Sequence, residues 1–372
     1  MGAGMPSTLK RGVQNAALVI CVLVFLCLLA EVAANILVNA GIGRANQIAG
    51  QKANNIVVSS PNADLGYLYR PNIREPERNI VTNSAGFREY EWTASELARS
   101  RVILNIGDSI TFGMNVRDID DVYGKVVQSL LSRNHGTDGR YVVYNAGIGG
   151  YNTWQEEALL RHLTGKIRYD MVILGLCLND SSPKLYVSED AKGAVISIPA
   201  RIESVRDVFS RKFLGRSKAY VMFKELIKST QRRFPKMFPS SVLWHNLLVK
   251  EGDWISLKQT LRKMRGDLEA DKIPFIVVIF PYEHQLQLTK KDNIVQNDLM
   301  AFCQSNSIHC LDLFDSFGQN RHLIHWDQEG VHPDGKGHLI AGQAIYEYLV
   351  ANQLIPISPA GLNVTHPQRD WR

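Results

Sequence analysis

The chain is expected to fold as an α/β domain on a five-stranded parallel sheet, and three observations carry that expectation. Five short apolar runs recur after residue 100: Val102–Ile106, Tyr141–Asn145, Met171–Gly175, Pro274–Phe280 and His309–Leu313. Candidate helices alternate with them, at Asp121–Ser132, Thr153–Thr164, Ser256–Ala270, Asp292–Ser305 and His338–Ala351. Near-continuous apolar strands separated by amphipathic helices are the pattern of a parallel sheet covered on both faces. Thirdly, residues with reactive side chains gather just past these runs, at the sheet edge where open α/β sheets bind ligands.

The elements follow in order. Residues 1–14 are mostly small or polar and carry Lys10 and Arg11, a leader placed in the cytoplasm. Ala16 to Ala30 is apolar throughout. As helix it reaches about 22 Å, short of the roughly 30 Å hydrocarbon core. The apolar character resumes after Glu31 through Val38, so residues 15–38 are expected to be a single transmembrane helix, with Glu31 reaching headgroups at the far interface. The rival is a cleaved signal peptide, with Val32-Ala33-Ala34 or Val38-Asn39-Ala40 as its cleavage site. The anchor reading places everything after residue 40 outside the cytoplasm, in the periplasm of a Gram-negative cell.

Residues 39–100 read as a linker and a cap on the domain. Gly66-Tyr-Leu-Tyr-Arg-Pro-Asn72 and Thr82-Asn-Ser-Ala-Gly-Phe-Arg88 are turn-rich, the second reading as a structural turn over the sheet edge. The strand–helix alternation then runs to residue 355, interrupted by an insertion at 181–253. Between Arg201 and Lys236 this insertion holds eleven Lys or Arg against three Asp or Glu, a larger excess than the net +6 of the whole chain. Tyr220, Phe223 and Ile227 share one helical face there. The insertion is therefore expected to be basic and helical, either a solvated packing element or a lid for anionic headgroups or an acidic glycan. Residues 356–372 form a tail, with Asn363-Val-Thr as a glycosylation sequon if the source is eukaryotic.

Composition excludes several classes. Hydrophobic residues make up 45% of the 372, enough for a sizeable core. No aromatic-and-basic motif accompanies the modest positive charge, so no nucleic-acid partner is expected. The five cysteines form no framework: Cys21 and Cys27 lie in the anchor, and Cys177, Cys303 and Cys310 are scattered. Cys303 and Cys310 sit where a helix and the following strand would let them meet. No Cys-x-x-Cys pair occurs, and His322, His325, His332 and His338 fit no standard zinc spacing, so no metal is expected.

The chemistry sits in four blocks. Arg101 to Gly113, RVILNIGDSITFG, ends a strand at Gly107 and places Ser109 where a helix begins. There its hydroxyl lies beside free N–H groups able to stabilise a developing anion. Tyr144 to Thr153, Leu174 to Asp180 and Glu329 to His338 follow in that order. Together the blocks resemble the SGNH (GDSL) hydrolase family. The segments before the serine block resemble a bacterial, membrane-anchored branch of it, which also tends to carry a glutamate at the end of its anchor.

The resemblance implies a flavodoxin-like, three-layer α/β/α fold for residues 101–355 and an ester hydrolase without a cofactor. It makes Ser109 the nucleophile and His332 the base. The oxyanion hole is then the N–H groups of Ser109 and Gly150 with the side-chain amide of Asn179. Two departures stand out. Cys177-Leu178 replaces the usual Gly-x before Asn179-Asp180. Glu329 occupies the position of the aspartate three residues before the histidine, while Asp327 lies two residues further back. Glutamate can orient a histidine, and Glu329 has the family spacing; Asp327 would need the loop to bend. Asp108 and Asp180 read as structural residues of the turns.

Serine is too weak a nucleophile at neutral pH unless a base takes its proton, which His332 would do. The expected substrate is an acyl ester, acetyl foremost, on a cell-envelope glycan or related surface molecule, lipid included. An acyltransferase acting on a sugar hydroxyl uses the same serine ester, and a non-catalytic binding module uses the same fold. The intact Ser, Gly, Asn and His positions speak against the binding module.

Overall fold

A computed structural model describes residues 22, 25–36, 56–75, 80–135, 140–181, 185–189, 195–199, 217–219, 222, 251–290, 293–327 and 330–355. By contact density the chain divides into two compact units, residues 1–54 with 202–234, and residues 55–201 with 235–372.

The larger unit opens with two small ribbons. Strand β1 (Val57–Ser59) pairs antiparallel with β2 (Tyr67–Tyr69), and β3 (Arg74–Glu75) with β4 (Ile80–Val81). Helix α1 (Ala94–Ala98) starts at a capping box between Thr93 and Glu96. The sheet proper consists of β5 (Ser100–Gly107), β6 (Arg140–Gly147), β7 (Met171–Leu176), β10 (Phe275–Ile279) and β11 (His309–Asp312), with the hairpin β8 (Leu185–Glu189) and β9 (Val195–Pro199) inserted after β7. All sheet pairings are parallel, in the order β11-β10-β7-β5-β6. The five apolar runs thus form one sheet, each within two residues of its expected bounds. Because the order reverses between β7 and β6, β5 lies at the topological switch point, where a crevice opens at the carboxyl ends.

Period-two alternation divides the core into two layers. Val102, Leu104 and Ile106 of β5 face one side, and Ile103 the other. On the first side pack α4 (Thr153–Leu163), α5 (Glu251–Ala270) and α6 (Ile294–Ser305), through Leu159, Leu261 and Phe302. On the second lie α3 (Tyr123–His135), α7 (Phe314–Gln319) and α8 (Gly335–Ala351), through Val127, Phe317 and Ile345. The remaining helix, α2 (Ser109–Phe112), is a single turn at the end of β5. Cys303 and Cys310 are buried free thiols. Their mutual hydrogen bond and burial push the Cys310 thiol up.

One expectation changes. The insertion is not simply helical, since it opens with the antiparallel hairpin β8–β9; Tyr220, Phe223 and Ile227 lie outside the described residues. Among the described residues no helix is long and apolar enough to cross a membrane. Residues 25–36 are helical, with Phe25, Leu26, Leu28, Leu29, Val32 and Ile36 exposed, and the rest of the expected 15–38 span, apart from Val22, lies outside the described residues. Glu31 is engaged within the chain. Its carboxylate accepts from Ser217 Oγ at 2.6 Å and from the N–H groups of Lys218 and Ala219 at 2.9 and 3.1 Å, tying the N-terminal helix to the insertion.

Candidate active site

Strand β5 carries the chain to the carboxyl edge, and the sequence there dictates a sharp handover. Asp108 caps α2, its Oδ1 accepting from the Ile110 N–H at 2.8 Å, and Gly113 closes the turn with a left-handed φ of 88°. Ser109 is therefore the first residue of a helix, half-exposed at the sheet edge. The His332 ring reaches it from the loop before α8, with Nε2 at 2.8 Å from Ser109 Oγ. The hydroxyl hydrogen has a second, longer acceptor in Asp108 Oδ2 at 3.2 Å.

Nδ1 of His332 faces Asp327 Oδ2 at 2.5 Å. The preference for Glu329, made on spacing, gives way to Asp327; Glu329 itself lies outside the described residues. The loop makes the bend that Asp327 requires. Gly330, at φ 67°, turns the chain and its N–H returns to the Asp327 carbonyl at 3.0 Å. Trp326 bridges Pro333, and the Asp327 N–H donates to the His332 carbonyl at 3.0 Å. The Asp327 carboxylate also accepts from the N–H groups of Val331 at 3.0 Å and His332 at 3.3 Å. Partial burial works to raise this carboxyl. The hydrogen bonds from the His332 ring and the Val331 N–H, with the ring's charge, outweigh it and hold the group at about 2. Asp327 is thus an anion that fixes the ring tautomer with Nε2 facing the serine.

Opposite the histidine, the turn after β6 brings Gly149 and Gly150 to the serine. A Cβ at Gly149 would stand 3.7 Å from that of Ser109, and Gly150 adopts a left-handed φ of 82°. Among the described contacts neither the Ser109 N–H nor the Gly150 N–H donates to a protein acceptor, and Gly150 is exposed. Asn179, also exposed, follows β7. Its amide is held by a network. The Asn179 N–H donates to Tyr282 Oη at 3.2 Å, so that hydroxyl directs its own hydrogen to Asn179 Oδ1 at 2.5 Å. Cys177 Sγ also donates to Oδ1, and Nδ2 donates to Asp108 Oδ2 at 3.0 Å. One Nδ2 hydrogen is left for the cleft. The Cys-Leu departure therefore supplies a donor that helps orient the amide. Tyr282 went unread in the sequence; its place two residues past a strand run, at the same edge, is the signal that could have found it.

Below this surface sits a buried acidic cluster. Glu156 of α4 is fully buried, and among the described residues neither of its carboxylate oxygens has a hydrogen-bond partner. Burial, then the Asp108 charge, pushes its carboxyl well above the ordinary range, and burial with Glu156 and Asp108 does the same to Asp180. The histidines do not converge. His338 is in the core, its Nδ1 accepting from the Tyr123 N–H at 3.2 Å and its pKa lowered to about 3, chiefly by burial. His325 is exposed beside Asp334. Among the described residues the only grouping of possible metal ligands is Asp108, Cys177 and Asp180, where burial, with the charges of Asp108 and Asp180, keeps the thiol protonated.

The cap is built onto this site. The Asn83 side chain accepts from the N–H groups of Ala85 and Phe87, closing the Asn-Ser-Ala-Gly-Phe-Arg turn on itself. That turn delivers Arg88, buried, to the carbonyls of Gly113 at 2.6 Å and Val116 at 2.7 Å, just past α2. The next residue, Glu89, pairs with Lys125 at 2.5 Å, both buried, and accepts from the Asn145 N–H at 2.6 Å.

A strand-end serine, a histidine and an aspartate in hydrogen-bonded series beside unengaged N–H donors define an acyl hydrolase of the three-layer α/β/α type. The model of the GDSL-like lipase/acylhydrolase family matches residues 106–340, and the chain belongs to that family; it is an ester hydrolase. No curated protein matches it. Among solved structures, an acetylxylan esterase from Geobacillus stearothermophilus is similar at 15% identity and a TM-score of 0.40, covering 67% of this chain and 94% of its own. TesA matches at 14% identity and a TM-score of 0.40, covering 67% and 98%. The acetyl xylan esterase AlAXEase matches at 16% and 0.38, covering 66% and 98%.

Proposed function

We propose that the protein is a serine esterase that removes acyl groups, acetyl foremost, from a cell-envelope glycan or related surface ester through a covalent acyl-serine. The observation that carries this reading is the series Ser109 Oγ to His332 Nε2 at 2.8 Å and His332 Nδ1 to Asp327 at 2.5 Å. Ser109 attacks the ester carbonyl while His332 takes its proton. The anionic oxygen that forms is received by the N–H groups of Ser109 and Gly150 and by Asn179 Nδ2. His332 then protonates the leaving alcohol, and water, activated by the same ring, releases the acid and frees Ser109. The exposure of Gly150 and Asn179 supports access by a large alcohol such as a polysaccharide. The apolar run within residues 15–38 supports anchoring to a membrane, with the domain on the extracytoplasmic side.

The test is turnover of a short aryl ester by the full chain in detergent. Ser109→Ala is expected to abolish it without altering the circular dichroism spectrum, and an organophosphonate should add its mass at Ser109. Asp327→Asn should lower kcat by about 10³- to 10⁴-fold by releasing the wrong tautomer, while Glu329→Gln remains near the parent rate. Full activity in Ser109→Ala would remove the serine mechanism. Acetate release from an acetylated polysaccharide, against acetyl transfer when a carbohydrate acceptor is added, tests the substrate and separates hydrolysis from transfer.

A further inference from the structure

We infer that Tyr67, from the β1–β2 ribbon outside the family-matched segment, is a positioning residue that aims the Gly150 N–H into the oxyanion hole. The inference rests on the reading of Gly150 as an oxyanion donor. Tyr67 Oη donates to the Gly149 carbonyl at 2.7 Å. In a trans peptide the Gly149 C=O and the Gly150 N–H lie in one plane and point in opposite directions. A hydroxyl that holds the carbonyl on one side therefore fixes the N–H on the other, the side left without a protein acceptor.

The glycines make such a clamp necessary. With φ at 82° and no side chain, Gly150 can rotate more freely than any other residue; the turn is closed by the Tyr151 N–H to the Ile148 carbonyl at 3.1 Å, a bond that leaves its central 149–150 peptide plane able to flip. The approach is also tight from the cap: a Cβ on Gly150 would stand 2.8 Å from Tyr67 Oη, and one on Gly149 would stand 2.6 Å from Tyr69 Oη. Tyr67 is itself fixed. Its ring meets Tyr151 edge-on at 5.3 Å, and Tyr151 Oη donates to the Tyr67 carbonyl in a short hydrogen bond. Burial, with Tyr69 and Asp108 nearby, raises the phenol, so it remains a donor throughout the working pH range. The ribbon and the turn it holds are 82 residues apart in sequence, so the clamp is one contact of Tyr67 and not a property of the cap as a whole.

Tyr67→Phe removes the hydroxyl and keeps the ring. In the full chain, with active sites counted by phosphonate titration, kcat per competent site should fall about 10- to 100-fold, less than the 10²- to 10³-fold typical of losing an oxyanion donor outright. KM should stay within about twofold, and the rate of phosphonate modification, whose phosphoryl oxygen enters the same hole, should fall with kcat. Thr82→Val is the control for a loosened cap, since Thr82 Oγ1 donates to the Arg70 carbonyl at 2.7 Å elsewhere in the same cap; it should lower the melting temperature and spare kcat. Unchanged kcat in Tyr67→Phe, or an equal loss in both variants, overturns the assignment. Ser109→Ala run in parallel separates the two levels. If it is inactive and Tyr67→Phe is unimpaired, only the clamp fails; if it is active, the esterase reading and the clamp fail together.

Discussion

Glu156 is the residue at which burial and charge conflict most. Among the described residues it has no hydrogen-bond partner, and burial with the Asp108 charge raises its carboxyl well above the ordinary range. A carboxyl raised in the folded state gives stability that is complete below its unfolded pKa and is lost as pH climbs toward the folded value. Glu156→Gln removes that titration while keeping the shape. The variant should match the parent near pH 4 and melt higher at pH 8, the gap widening by about 3 °C, the scale of roughly 1 kcal/mol in a chain of this size. Melting curves that stay parallel from pH 4 to pH 8 would refute the assignment. Side-chain identities near the reaction were largely legible: Ser109, Gly150, Asn179 and His332 gather at one edge. Asp327 was harder to read because spacing along a chain assumes a fixed loop path, and this loop folds back through hydrogen bonds among Asp327, Gly330, Val331 and His332.

At the scale of elements, the cap turn after Thr82 joins α2 to the sheet. Arg88 holds carbonyls after α2, and the adjacent Glu89 enters a buried pair with Lys125 of α3, whose ammonium also donates to the Val143 carbonyl at 2.8 Å. Desolvation works to lower the lysine pKa and Glu89 opposes it. Breaking one side of such a pair leaves a buried charge uncompensated, at about 3–5 kcal/mol, whereas apolar replacement of both partners is often near neutral. Lys125→Met is expected to destabilise the chain by that amount in urea titrations. Lys125→Met combined with Glu89→Leu should recover part of the loss, less whatever the unpaired Asn145 N–H costs. A neutral single variant would sink this account. The strands and helices of the sheet were readable because each carries its own period. The cap contacts were not, since Arg88 and Glu89 look like any exposed charges until the sheet is in place.

For the whole molecule, the two compact units join segments that the sequence presents as separate. The N-terminal helix and residues 202–234 of the basic insertion belong to one unit, with Glu31 accepting from the start of a helical stretch at Lys218. Nothing local in the sequence signals that partnership, since the residues involved are about 190 positions apart. The eleven basic residues between Arg201 and Lys236 therefore fall largely in the same unit as the apolar run from Ala16 to Ala30. If the apolar run spans a membrane, as proposed, the cationic segment tied to its helix adds attraction to anionic headgroups, on the order of 1 kcal/mol per basic residue near the surface. Lys10 and Arg11 ahead of the run predict a cytoplasmic N-terminus. The chain should then stay with membranes after alkaline washing, and a reporter fused after Arg372 should be active only on the extracytoplasmic side. Recovery of the protein in the soluble fraction, with a mature start between Glu31 and Gly41, would show a cleaved signal in place of an anchor.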